Sequence, residues 1–461
     1  MSNNNPNKLT SHSTSPLNAK ESELFEISER VLAFAKAANC TAADLSINMI
    51  SGAEYSIRNG EPETIERNQD KNLSIQVFNG DQTGSASTTD FSDQALQSTV
   101  NAAASIAKVT EGDPCLALAE PDTFPTVFPD LDLHHPDGLS AEKLGQFALE
   151  QAIACEAAAL GYDTRISNTE GASFSAHEGV SLMRTSKGFT GFARGTRYGL
   201  SCSVIAGEQD AMQRDYWYDS QRKLGALESA AAIGEHAAKR TLSRLNARKI
   251  KTCKVPVILD ATMAPGFVRH LIQAISGNAV YKKATFLTDK IDTVIFPEHI
   301  NIGQTPHLPQ GMGSAVYDAD GVATQAQNYI EDGRLISYVL SQYSACKLGL
   351  QNTGNAGGVR NLSINHDDLS QQDLLKRMGT GLLVTEMMGF GVNTVTGDYS
   401  RGAAGFWVEN GEIQYPVHEI TLSGNLSEMF KGISGIANDT NTKGNIHSGS
   451  ILLNALTVGG S

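Results

Sequence analysis

The sequence predicts an α+β protein in two parts. The first is an N-terminal α/β region with an antiparallel sheet and flanking helices. The second is a C-terminal, mostly β domain that is barrel-like or built of twisted sheets. Three observations lead there. Short alternating runs are punctuated by Asn-Gly and Asp-Gly pairs, the mark of antiparallel hairpins. Four segments in the first 250 residues show helical spacing of apolar residues. From about Lys251 the texture shifts to Gly, β-branched residues and turns. The divisions read as a disordered tail over 1–19, an N-terminal domain over 20–249 with subregions near 20–115 and 138–249, and a C-terminal domain over 250–461.

Residues 1–16, MSNNNPNKLTSHSTSP, are polar and lack the basic start and apolar core of a signal peptide. Over 20–39, Leu24, Ile27, Val31, Leu32 and Phe34 fall near helical spacing. Four strand-like runs follow between about 46 and 88, with turns at Asn59-Gly60 and Asn79-Gly80. Asp90 and Ser92 offer caps for a helix over 92–109. Residues 113–137, rich in Pro and Asp, read as a connector. An Ala-rich helix over 140–160, a strand meander and a helix over 224–246 complete the first half. In the second half, KVPVILDATM reads as a buried strand and 266–277 as a helix. A turn is expected at Asp318–Gly321, with hairpins about Asp332-Gly333 and Asn410-Gly411. No period of 20–50 residues repeats, which excludes a solenoid.

Composition narrows the function. The formal net charge of −14 opposes phosphate backbones, so no nucleic-acid partner is expected. No run of 18 apolar residues exists, so no membrane-spanning helix is expected. The six cysteines (Cys40, Cys115, Cys155, Cys202, Cys253, Cys346) lie far apart and form no CxxC. With the absent leader, they are expected to be free thiols of a cytoplasmic protein.

No constellation marks catalysis outright. The eleven histidines contain no HExxH pair. His177-Glu178 and His418-Glu419 each lack a second histidine nearby, and His236 has no partner. His134 and His135, beside Pro136 in the connector, are expected to be solvated. His299 and His307 share a Pro-rich loop and, with Cys346, form one conceivable metal set. There is no GxSxG elbow and no GxxxxGK[ST] loop. Gly354, Asn355, Gly357 and Gly358 let backbone approach either a peptide or another chain segment, and spacing favours a tight turn. Arg401, Phe406 and Trp407, interleaved with Gly, suit either a recognition surface or inward-packed aromatics.

Several long stretches occur in order: SIRNGEPETIERNQDKNLSIQVFNGDQTGSASTTDFS, GNAVYKKATFL, QNTGNAGGVRN, MGTGLLVTEMMGFGVNTVTGDYSRGAAGFWVENGEIQYP and HEITLSGNLSEMF. From about residue 23 to the C-terminus the chain resembles the PmbA-type (TldE) branch of the TldD/PmbA peptidase family, once labelled modulators of DNA gyrase. The resemblance implies a cytoplasmic subunit that pairs with a TldD-like sister around a chamber. It also implies that the complex degrades unfolded peptides or trims leader segments, with zinc in the TldD-type subunit on a His-Glu-x-x-x-His helix. Against that helix His270 matches the first histidine, Leu271 stands in place of the glutamate and Ile275 in place of the second histidine. The resemblance therefore implies a subunit with no metal and no catalytic residue of its own. Gly354, Asn355, Gly357, Gly358, Arg401, Phe406 and Trp407 remain the candidates for peptide or partner contact. A homodimer is expected to be able to reuse the sister interface when the partner is absent.

Overall fold

One antiparallel sheet runs through the whole N-terminal half. The computed structural model describes Leu17 and residues 20–460, so the tail expected over 1–19 lies, apart from Leu17, outside the described residues. In chain order this half contains α1 (Lys20–Ala37), β1 (Ala42–Arg58), β2 (Glu61–Asn79), β3 (Gln82–Thr88), α2 (Asp93–Ala107), α3 (Ala141–Gly161), β4 (Ile166–Thr185), β5 (Thr190–Ala206), β6 (Gln213–Gln221) and α4 (Ala230–Ser243). The strand order is β3-β2-β1-β4-β5-β6.

The four runs expected over 46–88 are three strands, because β1 and β2 continue through positions read as breaks. Gly52 does not turn the chain. A Cβ there would lie 2.4 Å from Asn68 Oδ1 and 2.7 Å from His177 Nδ1, so glycine admits two neighbouring side chains. The Asn59-Gly60 tip does turn, with both residues at positive φ. Ser92 caps α2, its hydroxyl accepting from Ala95 N. The last helix starts at Ala230 rather than near 224, because Ser229 caps it there.

The sheet carries two separate cores. Leu24, Val31, Leu45, Ile75 and Val100 pack where α1 and α2 cover one end. Tyr55, Ile57, Phe174, Leu200 and Ile233 pack under α3 and α4 at the other.

The C-terminal half contains β7 (Cys253–Leu259), α5 (Ala264–Ala274), α6 (Gly277–Tyr281), β8 (Ile302–Gln304), β9 (Gln327–Glu331), β10 (Arg334–Leu335), α7 (Gln342–Leu348), β11 (Leu362–Ile364), α8 (Gln371–Met378), β12 (Gly381–Met388), β13 (Asp398–Glu409), β14 (Glu412–Asn425), α9 (Leu426–Lys431), β15 (Ile433–Ile436), β16 (Ile446–His447) and β17 (Ile451–Gly459). Strands β14-β13-β12-β7-β17 form a continuous sheet, and β14 also pairs with β17, closing a five-stranded barrel. β15 hangs on the outside of β17, and β10-β9-β8-β11-β16 form a second sheet. The expected helix over 266–277 is divided, because Ser276 ends α5 and caps α6 through its hydroxyl. Among the described residues, no helix is long and apolar enough to cross a membrane.

A buried charge knot joins the halves. Asp215 of β6, whose side chain is 5% exposed, accepts from Arg240 (3.2 Å) and Arg244 (3.2 Å), and Arg244 also bonds Glu386 of β12. Lys443, from the loop before β16, donates to Tyr218 O (2.6 Å) and Glu228 (2.9 Å) and lies 4.3 Å over the Trp217 ring.

The expectation of six free thiols is corrected. Cys115, on the connector, is bonded to Cys346 of α7, with their Cα atoms 5.5 Å apart across 231 positions of sequence. The connector is held against α7 by Asp113, which accepts from Lys347 Nζ (2.9 Å) and Tyr343 OH (2.9 Å). That docking, which no spacing rule encodes, brings the two sulfurs together. Cys40, Cys155, Cys202 and Cys253 are free.

Two outcomes are expected. Alkylation of the unfolded, unreduced chain followed by mass spectrometry labels four cysteines, and six after reduction. Arg244→Leu strips Asp215 and Glu386 of a shared partner and lowers stability by about 3 kcal/mol, read from the chemical denaturation midpoint.

Candidate functional site

His270 sits on a helix whose other face belongs to the barrel core. After β7 the chain bends at Asp260, whose Oδ1 accepts from Thr262 N (2.9 Å) and Thr262 Oγ1 (2.6 Å). Helix α5 then starts with Pro265 in its first turn, where a missing N–H is harmless. Phe267, Val268, Leu271 and Ala274 face the core. Leu271 and Ile275 have no exposed surface and pack among Val257, Leu259 and Phe267.

His270 points the other way. Its ring meets Tyr399 edge-on at 5.8 Å between centroids. Nδ1 lies 3.3 Å from Gln273 Oε1, and Nε2 is buried without a hydrogen-bond partner. Burial, and then Arg401 and Arg269 nearby, push its pKa below the ordinary 6.5, so the imidazole is neutral at pH 7. Tyr399 is 2% exposed and burial lifts its phenol to about 12. Its hydroxyl lies 3.6 Å from Met387 Sδ. The arrangement is an imidazole and a phenol, both neutral, with no carboxylate among the described residues bonded to either.

These residues do not fit a catalytic zinc, which takes about three protein ligands. His270 is a single donor, Leu271 and Ile275 are apolar and buried, and no group of three or more His, Cys, Asp or Glu among the described residues could hold a metal. The set of His299, His307 and Cys346 is not assembled either. Cys346 is in the disulfide, His299 is exposed, and His307 Nε2 lies 3.2 Å from Thr324 Oγ1.

Of the other candidates, Arg401 reaches the His270 cleft, its Nε donating to Gly389 O at 3.0 Å. Phe406 and Trp407 do not; they lie on opposite faces of β13, against different cores, and Trp407 Nε1 donates to Glu409. Asn355 is 3% exposed and its amide is used up: Oδ1 accepts from Gln327 (2.7 Å) and Tyr329 OH (2.9 Å), and Nδ2 donates to Gln304 (2.9 Å) and Gly358 O (3.3 Å). Gly354, Gly357 and Gly358 all have positive φ, and a Cβ on Gly354 would meet Ala323 O at 2.5 Å.

Two readings of histidine are corrected. His134 is not solvated: its Nε2 lies 2.7 Å from Glu178 Oε1, with both side chains under 20% exposed. His135 bonds the Asp132 carbonyl at 2.8 Å. The connector folds back on the sheet, which a local reading of its Pro and Asp content does not reveal. His236 is stacked on Trp217 at 3.8 Å.

A barrel and a helix-backed sheet, with one histidine on the helix after the first barrel strand, define a chain of metallopeptidase architecture whose own donor set is incomplete. The chain belongs to the PmbA/TldD metallopeptidase family. Models of the PmbA/TldA metallopeptidase match domain 1 at residues 43–107, the central domain at 136–245 and the C-terminal domain at 252–460. It is 46% identical over 418 residues to the metalloprotease PmbA of Escherichia coli O157:H7, covering 91% of this chain and 92% of that one. It is 42% identical to the PmbA homologue of Haemophilus influenzae, covering 98% and 100%. A Bacteroides thetaiotaomicron protein described as a modulator of DNA gyrase superposes with a TM-score of 0.90 at 26% identity, covering 96% of this chain and 100% of that one. TldE of Thermococcus kodakarensis shares the fold, with a TM-score of 0.82 at 19% identity over 94% and 100%.

The cleft makes its own prediction. In NMR titration, His270 is expected to protonate below pH 6.5. The unfolded chain then takes up this proton first as pH falls. The stability that depends on a neutral His270 is intact above 6.5 and declines on acidification down to the folded-state pKa, below which this group adds no further loss.

Proposed function

We propose that this chain is the non-catalytic sister subunit of a TldD-type metallopeptidase complex, working on unfolded peptides or the leader segments of peptide precursors in the cytoplasm. The carrying observation is the α5 donor set: one neutral histidine, with Leu271 and Ile275 built into the barrel core where the other functions would stand. On this reading zinc and the general base come from the TldD-like partner. The chain supplies chamber wall and substrate hold, by strand addition or side-chain contact. Four free cysteines support the cytoplasmic setting, although the Cys115–Cys346 bridge is uncommon there.

Assembly is supported by the β12–β13 loop. Phe390 is fully exposed, and Met388 and Val395 are about half exposed. The loop adjoins the His270 cleft through the Arg401–Gly389 bond. Apolar side chains held in water beside a would-be active site are what a subunit interface covers. When the partner is absent, the same surface can serve a homodimer.

The relatives' name, metalloprotease, favours a second reading in which the chain cleaves peptides alone. One experiment separates them: zinc content and cleavage of an unfolded peptide by the purified chain, alone and co-expressed with a TldD-type partner. The subunit reading expects no stoichiometric zinc and no cleavage alone, and both in the complex. Zinc and cleavage by the chain alone would sink it. Phe390→Asp is expected to weaken the complex roughly tenfold or more, by co-purification or calorimetry, with unchanged melting of the single chain.

A further inference from the structure

Between the two cores of the N-terminal sheet lies a cavity of about 570 Å³, within the range of small-ligand pockets. It sits at the seam between the parts matched by the domain 1 and central-domain models. Its floor is sheet, from Ala53 and Ala176. Its roof is the end of the connector and the first turn of α3, including Leu139 and Leu144. The pairing of His134 with Glu178 pins that roof to β4.

Two charged groups face this space with no ionic partner among the described residues. Arg67 of β2 is held in place rather than neutralised. Its Nε and Nη2 donate to Tyr55 OH (3.1 and 2.8 Å), and Nη2 also donates to the Ala141 carbonyl. Tyr55 is 1% exposed, so the guanidinium has a rigid support, and Nη1 makes no hydrogen bond among the described residues. Asp137 is held from the opposite wall. Oδ1 accepts from Leu139 N at 2.7 Å, and Oδ2 lies 3.4 Å from the hydroxyl of Tyr198, which donates to the His135 carbonyl at 2.9 Å. Tyr198 is 2% exposed. The result is a fixed cation on one wall, a fixed carboxylate on the other and an apolar bed between them.

We infer that this cavity binds a short peptide with free ends, a di- or tripeptide, its carboxylate on Arg67 and its ammonium on Asp137. A planar guanidinium suits a carboxylate and a carboxylate suits an ammonium. Alanines and leucines take up small apolar side chains. A phosphorylated ligand fits poorly, because Asp137 and Glu178 also line the space and the chain is strongly acidic. The cavity is larger than a single amino acid requires. The site lies away from the His270 cleft, on the other half of the chain, and does not depend on how the sister subunit reading fares.

The test is calorimetric titration of the full-length chain with leucyl-leucine, N-acetyl-leucyl-leucine and leucyl-leucine amide. The free dipeptide is expected to bind, and either cap to weaken it roughly tenfold, the loss of one charge-assisted contact. Asp137→Asn, which keeps the bond to Leu139 N, is expected to erase the penalty for the acetyl cap and leave that for the amide. Arg67→Met is expected to do the reverse. The ligand caps read both ends on the unaltered protein, so a poorly folding variant does not rescue the idea. No binding of the free dipeptide, equal binding of all three ligands, or full cap penalties in both variants would overturn it.

Discussion

Helix α5 is a wall of the barrel core, and the burial of one of its faces limits what its side chains can do. Leu271 and Ile275 fill space between β7 and the other barrel strands, each contributing about 2 kcal/mol of apolar burial. A glutamate or histidine in either place would have to be desolvated in that core, at a cost larger than such a helix can absorb without partners. What remains on the open face is His270 against Tyr399, both held neutral by burial. The apolar character of these two positions is therefore a packing requirement of the barrel, and the open face of the helix carries His270.

A second dependency links that cleft to the N-terminal sheet. Arg244 of the loop after α4 bonds both Asp215 of β6 and Glu386 of β12, and Glu386 precedes Met387, the residue against Tyr399. The edge of the first sheet and the barrel strand beside His270 are thus fastened by one guanidinium. Lys443 repeats the arrangement from the opposite side, with Trp217 stacked between it and His236. The two halves are thereby held in fixed relation by buried charges, whose directional hydrogen bonds define geometry as well as contact.

Local chemistry carried much of the architecture. The Asn-Gly and Asp-Gly tips at 59–60, 332–333 and 410–411 turn where their positive-φ preference says they should. Ser92 caps its helix, and the mostly β texture after Lys251 is a closed barrel. The failures share one cause, long-range placement. Four strand-like runs were expected where three strands stand, because Gly52 lies inside β1 with Asn68 and His177 from neighbouring strands filling the space beside it. His134 looked solvated because Glu178 lies 44 residues away in sequence. Cys346 looked available because Cys115 is 231 positions off. Leu271 and Ile275 were legible as apolar positions of a helix, whereas Tyr399 and Arg401 join His270 only through the barrel's register.

The cavity at the domain seam shows why pattern reading stops where it does. Its charged walls come from β2 and from the end of the connector, and although Arg67 lies in a stretch that carries the family resemblance, nothing in that stretch marks it as a ligand residue. Arg67 is informative only because Tyr55 and the Ala141 carbonyl hold it without cancelling its charge. Asp137 is informative only because it forms no ion pair among the described residues while Leu139 N and Tyr198 hold it in place. Arg67 is itself exposed and Asp137 half-buried, so what sets them apart from other surface charges is that their hydrogen bonds hold them facing one apolar space. Fixed on opposite sides of an apolar space, the same two residues define a ligand with an anionic end, a cationic end and an apolar middle. That description is met by a small peptide with both ends free.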